Sequence, residues 1–336
     1  AALREFKAVP KSRPGDAEVH QQLGLTLKQQ GKLEGAIEEF ETVLSLNSEH
    51  REAYYNLGTV LRQYAASIRR GHPAVRLEPS IESRMKEATE QLSRGDKAGS
   101  RKTLEQLSRD FPTSPNVWNL LGFVQGQERD LVGAVASLKR AVELSQEMPE
   151  ARYNLGVALW YKGQRDLAIE SLEHSIRLDP SAAEVYSFLG MARRETGELD
   201  RARSPLQRAI ALSPNLQAPY FDLGILFLRS GQVERGIGQL EAALNLPAPV
   251  GPVPDLEVAI SELRRVLGVK PELAEGHNTL GLLLGKLGAD PKQVISEFRE
   301  AIRLRPDYAE AQTQLDNARA KKAALEQGDI RIARVV

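Results

Sequence analysis

Three kinds of side chain in this sequence could do chemistry: histidines as metal ligands or bases, carboxylates as acid–base groups, and a lysine beside glycines. A zinc site on a helix needs two histidines three to five residues apart, because that spacing puts both rings on one face. An unclustered histidine usually has a structural or solvent-facing role. The sequence therefore predicts no metal site. The histidines are too far apart for such a pair: His20, His50, His72, His174 and His277.

The other two chemistries also lack their motifs. Residues 281–286, GLLLGK, contain glycines and a lysine but neither the spacing nor the following Ser or Thr of a phosphate-binding loop. The carboxylates fall on Glu-rich helical faces such as Glu38–Glu39, where solvation is expected, and no G-x-S-x-G nucleophile motif occurs. The chain has no cysteine, which excludes thiolate catalysis. We predict a protein that is not an enzyme, with no catalytic residue, cofactor or metal.

Composition narrows the function classes further. The 45 Lys and Arg residues balance 45 Asp and Glu residues, whereas a nucleic-acid binder usually carries a basic excess. No apolar run approaches the roughly 18 residues that span a bilayer. The chain begins with Ala1 rather than Met, so we expect a fragment or a chain whose leader was removed. The compartment stays open, and a soluble protein that is exported or extracellular is compatible with the lack of Cys and of an initiating Met.

An internal repeat supplies the elements that would position any site. Leu-Gly pairs recur along the chain, and most neighbouring pairs are about 34 residues apart, a period typical of repeat architectures. The gap from 58 to 122 hides a shortened repeat with Ala88 in the glycine position, and the gap from 224 to 281 holds one repeat plus an extra segment. The glycines of the pairs are Gly24, Gly58, Gly122, Gly156, Gly190, Gly224 and Gly281.

Other positions keep the same register. Twelve residues after the glycine stands a small residue, and four further on a bulky apolar one, as in Ala168 and Leu172. Two antiparallel helices approach closely only where small side chains meet, and bulky ones fill the space beside the contact. A second glycine, seven residues after the first, ends the first helix, and a proline stops the second helix. The turn glycines are Gly31, Gly95, Gly163, Gly197 and Gly231.

This pattern resembles the tetratricopeptide repeat (TPR) over nearly the whole chain. The best window is residues 150–180, EARYNLGVALWYKGQRDLAIESLEHSIRLDP. The resemblance implies an all-α fold, an α-solenoid of stacked antiparallel helix pairs that forms a right-handed superhelix. About eight repeats, with terminal and internal half-repeats, are expected. Because one hairpin cannot bury its apolar face alone, the hairpins should stack in series.

We predict a single TPR solenoid over residues 1–327 and a tail over 328–336. Its irregular parts are a half-repeat at 1–16, a broken second helix in the repeat that starts at 51, and a proline-rich linker at 247–254. A lone second helix follows at 255–268, then a repeat at 274–308 and a terminal helix at 309–327. The remaining repeats, together with the irregular one at 51, start near residues 17, 51, 81, 115, 149, 183 and 217.

The resemblance implies that the first helix of each repeat lines a concave groove in which a protein or peptide binds. Large apolar residues at groove positions either contact a partner or pack between repeats, and both interpretations stay open. The predicted function is therefore a non-catalytic protein–protein interaction scaffold with a protein or peptide partner. The predicted groove residues are Asn56, Phe123, Asn154, Trp160, Tyr161, Phe188, Met191 and Phe221.

Self-assembly is the alternative function. The chain begins with an unpaired second helix and ends with an unpaired first helix, so copies joined head to tail would complete a repeat at each junction. Such a contact propagates into a homo-oligomeric filament or ring. A third interpretation is a TPR region of a larger protein whose effector domain lies outside this chain. The residues predicted for self-assembly are Leu3, Phe6, Val9, Leu315, Ile330 and Ile332.

Overall fold

The computed structural model describes residues 15–69, 79–247 and 255–326. Within these ranges all regular structure is helical, and the seventeen helices confirm an all-α repeat solenoid. The helices are α1 (Ala17–Gln29), α2 (Leu33–Leu46), α3 (Arg51–Arg69), α4 (Pro79–Ser93), α5 (Lys97–Asp110), α6 (Pro115–Gln127), α7 (Leu131–Leu144), α8 (Pro149–Tyr161), α9 (Arg165–Leu178), α10 (Ala183–Glu195), α11 (Leu199–Leu212), α12 (Ala218–Arg229), α13 (Val233–Leu244), α14 (Leu256–Val269), α15 (Ala274–Leu287), α16 (Pro291–Leu304) and α17 (Ala309–Glu326).

The helices belong to two compact units, Ala1–Ser213 and Pro214–Val336. Four predicted features fall outside the described residues: the half-repeat at 1–16 except for its last two residues, the broken helix after residue 69, most of the proline-rich linker, and the tail. The single continuous solenoid over 1–327 stays a prediction.

Every described hairpin except α4–α5, which has Ala88 instead, is built on a glycine of its first helix that faces a bulky side chain of its second helix. A Cβ atom added to Gly190 would lie 2.5 Å from Leu206 Cγ, and one added to Gly24 would lie 2.7 Å from Phe40 Cε1. Both facing side chains are fully buried, so neither has space to move away. The Leu-Gly pairs therefore mark the closest approach of paired helices, as the repeat pattern predicts.

The turn between the paired helices requires a left-handed residue. The five predicted turn glycines all have φ between +73° and +86°, and Gly288 has the same conformation in a sixth hairpin. In the α6–α7 hairpin this place is taken by Arg129, with φ of 64°, the sole non-glycine residue with positive φ among those described. A side chain there costs roughly 1–2 kcal/mol relative to glycine. The hairpin geometry thus persists where the glycine signal is missing.

In the first unit, α4 to α11 form four hairpins that stack in order. Helix α5 packs on α6, α7 on α8, and α9 on α10. Helices α1 to α3 form a hairpin and one further helix, and α3 packs on both α2 and α11. Helix α3 therefore packs on α11 in the way that α10 packs on α9, as a first helix against the second helix of another repeat. The expectation that hairpins stack strictly in sequence order is wrong at this point.

The contact of α3 with α11 is close because Gly58 has no side chain. A Cβ atom at Gly58 would lie 2.0 Å from the backbone oxygen of Ala211, and Ala211 is part of the same apolar core as Leu57 and Leu61. In the other hairpins this glycine faces the partner helix of its own repeat. Here it faces a helix from a distant part of the sequence.

Polar contacts extend the same interface. Arg208 on α11 donates to both carboxylate oxygens of Glu41 on α2, at 2.5 and 3.0 Å, and its guanidinium lies 5.6 Å from the Tyr186 ring centre. The buried Gln207 donates to the Leu44 backbone oxygen at 3.1 Å. Hydrogen-bonded charges and buried amides stabilise a contact only when both partners are placed accurately. The docking of α1–α3 on α11 is thus specific.

The second unit contains two hairpins, α12–α13 and α15–α16, and two unpaired helices. Helix α14 packs on α12 and α15, and α17 packs on α16 and α15. One apolar core, which includes Phe221, Leu263 and Phe298, runs through all of these elements. Leu315 on α17 belongs to the same core. The unit therefore keeps its core continuous although one repeat contributes a single helix.

Candidate functional site

Two of the histidines, His20 and His277, and the GLLLGK segment contribute to the fold. Residues 281–286 lie inside α15, so their backbone amides are used in helical hydrogen bonds and form no phosphate loop. His277 Nδ1 lies 2.7 Å from Glu297 Oε2 and its Nε2 lies 3.1 Å from the Pro271 backbone oxygen. His20 and Glu39 make the matching contact across α1 and α2, at 2.6 Å. No group of three potential metal ligands occurs in the described part of the chain.

The His277 contact belongs to a wider pattern that links successive repeats. In three repeats the residue four before the Leu-Gly glycine donates to the backbone oxygen of the proline six residues earlier. Trp118 Nε1 does so to Pro112 at 2.9 Å, and the Tyr220 hydroxyl does so to Pro214 at 3.1 Å. These bonds satisfy the carbonyl of a proline that lies just beyond the C-cap of the preceding helix and has no intrahelical partner. Large polar rings at this position therefore have a structural role.

An aromatic cluster on α8 and α10 is the strongest candidate for a partner contact. The Phe188 ring lies edge-on to three other rings, with centre distances of 6.4 Å to Tyr153, 6.3 Å to Trp160 and 6.4 Å to Tyr161. Arg165 stacks over Trp160 at 5.1 Å. Tyr161 is 66% exposed, whereas the other three rings are half-buried. We call these four residues together with Phe123, which is 38% exposed on α6, the aromatic surface.

Local packing holds three rings of the aromatic surface in place. Tyr153, Trp160 and Phe188 rest against the core residues Ile169 and Leu172, so one side of each ring is anchored. Edge-to-face ring contacts favour this arrangement over free rotation. Burial, with a contribution from Glu184, raises the pKa of Tyr153 to about 12, so its hydroxyl stays protonated. The three half-buried rings are therefore held in one defined arrangement.

An amide pair lies on the same first helices. Asn154 Nδ2 on α8 donates to Asn119 Oδ1 on α6 at 2.9 Å, and both side chains are half-buried. Asn154 is a predicted groove residue, but Asn119 is not, because it stands three residues before its glycine whereas Asn154 stands two before. The signal that could have identified it is the spacing of close to one repeat between the two asparagines. This pair bridges neighbouring repeats.

The structure separates the predicted site residues. Trp160, Tyr161, Phe188 and Phe123 belong to the aromatic surface, and Met191, on α10, is half-buried. Phe221 is 1% exposed and packs in the core of the second unit, so its assignment to a groove is wrong. The position along the helix explains the difference. Phe221 stands three residues before the glycine of its Leu-Gly pair, whereas Phe188 stands two residues before the glycine of its own pair. One residue along a helix turns the side chain by about 100°.

Two further predicted residues are buried. Asn56 is 4% exposed and accepts a 3.4 Å hydrogen bond from Lys28 Nζ, so its side chain is not presented to a partner. Leu315, predicted for self-assembly, is also 4% exposed and packs in a core, and that assignment is wrong too. The predicted residues Leu3, Phe6, Val9, Ile330 and Ile332 lie outside the described residues.

The hairpins, their glycine contacts and their left-handed turns define the class of protein as an α-solenoid repeat protein. Models of the tetratricopeptide repeat match residues 24–63 and 153–216. Each matched range runs from within a first helix through its glycine turn into the helices that follow. The chain therefore contains tetratricopeptide repeats.

One solved structure, at a TM-score of 0.50, agrees with this fold, and others are similar over part of the chain. The chain is similar to pilF of Pseudomonas aeruginosa, at 14% identity over 69% of this chain and 95% of that chain, with a TM-score of 0.50. It is also similar to MamA of Desulfovibrio magneticus RS-1, at 20% identity over 51% and 97%, with a TM-score of 0.46. It is similar as well to YrrB, described as a TPR protein with an unusual peptide-binding site. The identity is 17% over 62% of this chain and 96% of that chain, with a TM-score of 0.41. No curated protein matches the sequence. None of the described helices is long and apolar enough to cross a membrane.

Proposed function

We propose that this chain is a non-catalytic scaffold whose aromatic surface binds a segment of another protein. The observation that supports this most directly is the exposure of Tyr161 beside a fixed cluster of rings, with Phe123 exposed on α6, a helix that contacts α8. When a partner covers a large apolar side chain, its removal from water stabilises the complex by roughly 1.5–3 kcal/mol for each one fully buried. Aromatic residues are also enriched at the energetic centres of protein interfaces.

Rigidity makes this surface better suited to binding than isolated exposed residues. A side chain that becomes fixed on binding costs about 0.5–1.5 kcal/mol of conformational entropy. Phe188, Trp160 and Tyr153 are already fixed by their ring contacts and by the core beneath them. Much of the ordering cost is therefore met during folding.

The amide pair adds a polar element to the same surface. An asparagine has two N–H donors and a carbonyl acceptor, and the bond between Asn154 and Asn119 uses one donor and part of one acceptor. The remaining groups suit the N–H and C=O groups of a peptide backbone. We therefore expect the bound segment to carry large apolar side chains at the rings and its backbone at the amides.

Selection from a displayed random-peptide library tests the proposal. The full chain should enrich a family of peptides with apolar anchor residues, and Tyr161→Ser should reduce their binding at least about tenfold, since about 1.4 kcal/mol is tenfold in affinity. Tyr55→Ser is the matched control, because Tyr55 is 69% exposed on α3, far from the aromatic surface in sequence.

Unfolding measurements separate binding from stability. Both tyrosines are exposed, so either substitution should change the free energy of unfolding by less than about 0.5 kcal/mol. Enriched peptides that bind Tyr161→Ser as well as they bind the unchanged chain would refute the assignment. A library that yields no enriched family at all would count against it equally.

A further inference from the structure

A separate cavity lies in the second unit, between α15, α16 and α17. Its volume is about 370 Å³, within the range of roughly 300–1,000 Å³ typical of ligand pockets. Leu282, Val294, Phe298 and Ala318 form apolar walls, and Leu325, 51% exposed, lies at the edge. The cavity is therefore open to solvent on one side and apolar on the other.

The space exists because first helix α15 carries a glycine where most other first helices carry large side chains. Gly285 stands four residues after the Leu-Gly glycine, and a Cβ atom added there would meet only Val294 Cγ1, at 3.8 Å. Gly288, in the left-handed turn, has nothing within 4 Å of an added Cβ atom. At the position of Gly285 other repeats have Lys28, Arg62, Trp160, Arg194 and Leu228, and α6 also has a glycine, Gly126.

The charge around the cavity has one sign. Among the described residues, its lining contains Lys286 and Lys321 but no Asp or Glu. Desolvation by the surrounding protein lowers the pKa of Lys286, so its charged form would gain from a carboxylate nearby. Four acidic residues adjoin the lining in sequence, and each has a partner within the chain. They are Asp290, Glu297, Asp316 and Glu326. The lining itself therefore carries only positive charge, whereas the net charge of the whole chain is zero.

We propose that this cavity is a second binding site, specific for an acidic peptide segment that inserts one large apolar side chain. The apolar side chain would occupy the space beside Gly285 and Phe298. Flanking carboxylates would pair with the two lysines, and the half-exposed amide of Gln314 would bond to the peptide backbone. The site is independent of the aromatic surface and does not rest on it.

An array of synthetic nonapeptides tests this assignment. The central residue is Leu, Phe or Ser, and the flanking residues are Glu, Ser or Lys; hits are measured by fluorescence anisotropy with the full chain. Peptides with Glu flanks and a central Leu or Phe should bind most tightly, and their binding should weaken as salt is raised. Lys286→Glu and Lys321→Glu should each reduce the affinity about tenfold or more.

Filling the cavity gives a second readout that does not involve charge. Gly285→Leu should abolish peptide binding without unfolding the protein, since the added Cβ meets only an ordinary contact. Gly268→Leu is the matched control, because that glycine lies at the exposed end of α14 with nothing within 4 Å of an added Cβ atom. It should leave binding unchanged.

Three results would overturn the proposal. Peptides with Lys or Ser flanks could bind as well as those with Glu flanks, Gly285→Leu could bind peptide normally, or no acidic peptide could bind at millimolar concentration. Tyr161→Ser should have no effect in this assay, so failure of this site and failure of the aromatic surface give different results.

Discussion

The docking of α1–α3 on α11 can be tested through the Glu41–Arg208 ion pair. The two side chains are 167 residues apart in sequence, and their contact exists only if this docking is correct. Exposed fractions of 18% for Glu41 and 26% for Arg208 place the pair mostly out of solvent. Burial lowers the pKa of Arg208, but its hydrogen bonds and charge interaction with Glu41 outweigh this and raise that pKa overall.

The magnitude follows from the geometry. Two unit charges about 4 Å apart attract by roughly 4 kcal/mol in an effective dielectric of about 20. Desolvation of both groups offsets part of this attraction. The remainder gives an expected coupling energy of about 1–3 kcal/mol, in the range found for residues in direct contact.

A double-mutant cycle measures this coupling directly. Glu41→Ala, Arg208→Ala and the double variant are unfolded with urea, and the coupling is the difference between the double variant and the sum of the single ones. The control is the Arg84–Asp110 pair between α4 and α5, at 2.8 Å but 37% and 38% exposed, which should couple much more weakly because solvent screens it. A Glu41–Arg208 coupling below about 0.3 kcal/mol would mean that α2 and α11 are not in contact, and the docking would be refuted.

Three further predictions concern the hairpins. Gly190→Ala should destabilise the protein by about 1–3 kcal/mol, because the new Cβ meets a buried leucine at 2.5 Å; an unchanged melting temperature would contradict the close helix contact. Arg129→Gly should stabilise by about 0.5–1 kcal/mol, because it relieves a left-handed φ, and Gly163→Ala should have the opposite sign in the same urea titration. The hydrogen bond with Glu297 raises the pKa of His277, so this pair stabilises the fold fully below about pH 6.5 and loses that effect as pH rises through the raised value. Glu297→Gln should therefore destabilise more at about pH 6 than at pH 8, and equal effects at both would refute the pairing.

Much of the fold follows from local sequence. The hairpin contact needs a glycine opposite a bulky residue at a fixed spacing, and the turn needs a left-handed residue, so both leave a periodic signal. That signal locates Gly190 opposite Leu206 and the turn at Gly163. Arg129 shows its limit, because the turn forms there without the expected glycine. The left-handed turn thus forms at a residue type that disfavours it.

The candidate site was only partly accessible from sequence. Apolar side chains at first-helix positions either face a groove or pack in a core, and the sequence pattern alone does not separate these outcomes. The rotation of a single residue along the helix places Phe188 at the surface and Phe221 in the core. The cavity beside Gly285 is lined by residues of three helices, so no local sequence motif predicts it.

The sequence by itself determined that the chain forms helical hairpins of one repeating type, because each hairpin is stabilised by contacts between residues of the same repeat. Only the tertiary structure decided where α3 docks. Its glycine fits against the end of α11, and an ion pair and a buried amide complete the contact between segments that are far apart in the sequence. A contact of that kind depends on the shapes and charges of two distant surfaces, and no spacing along the chain encodes it.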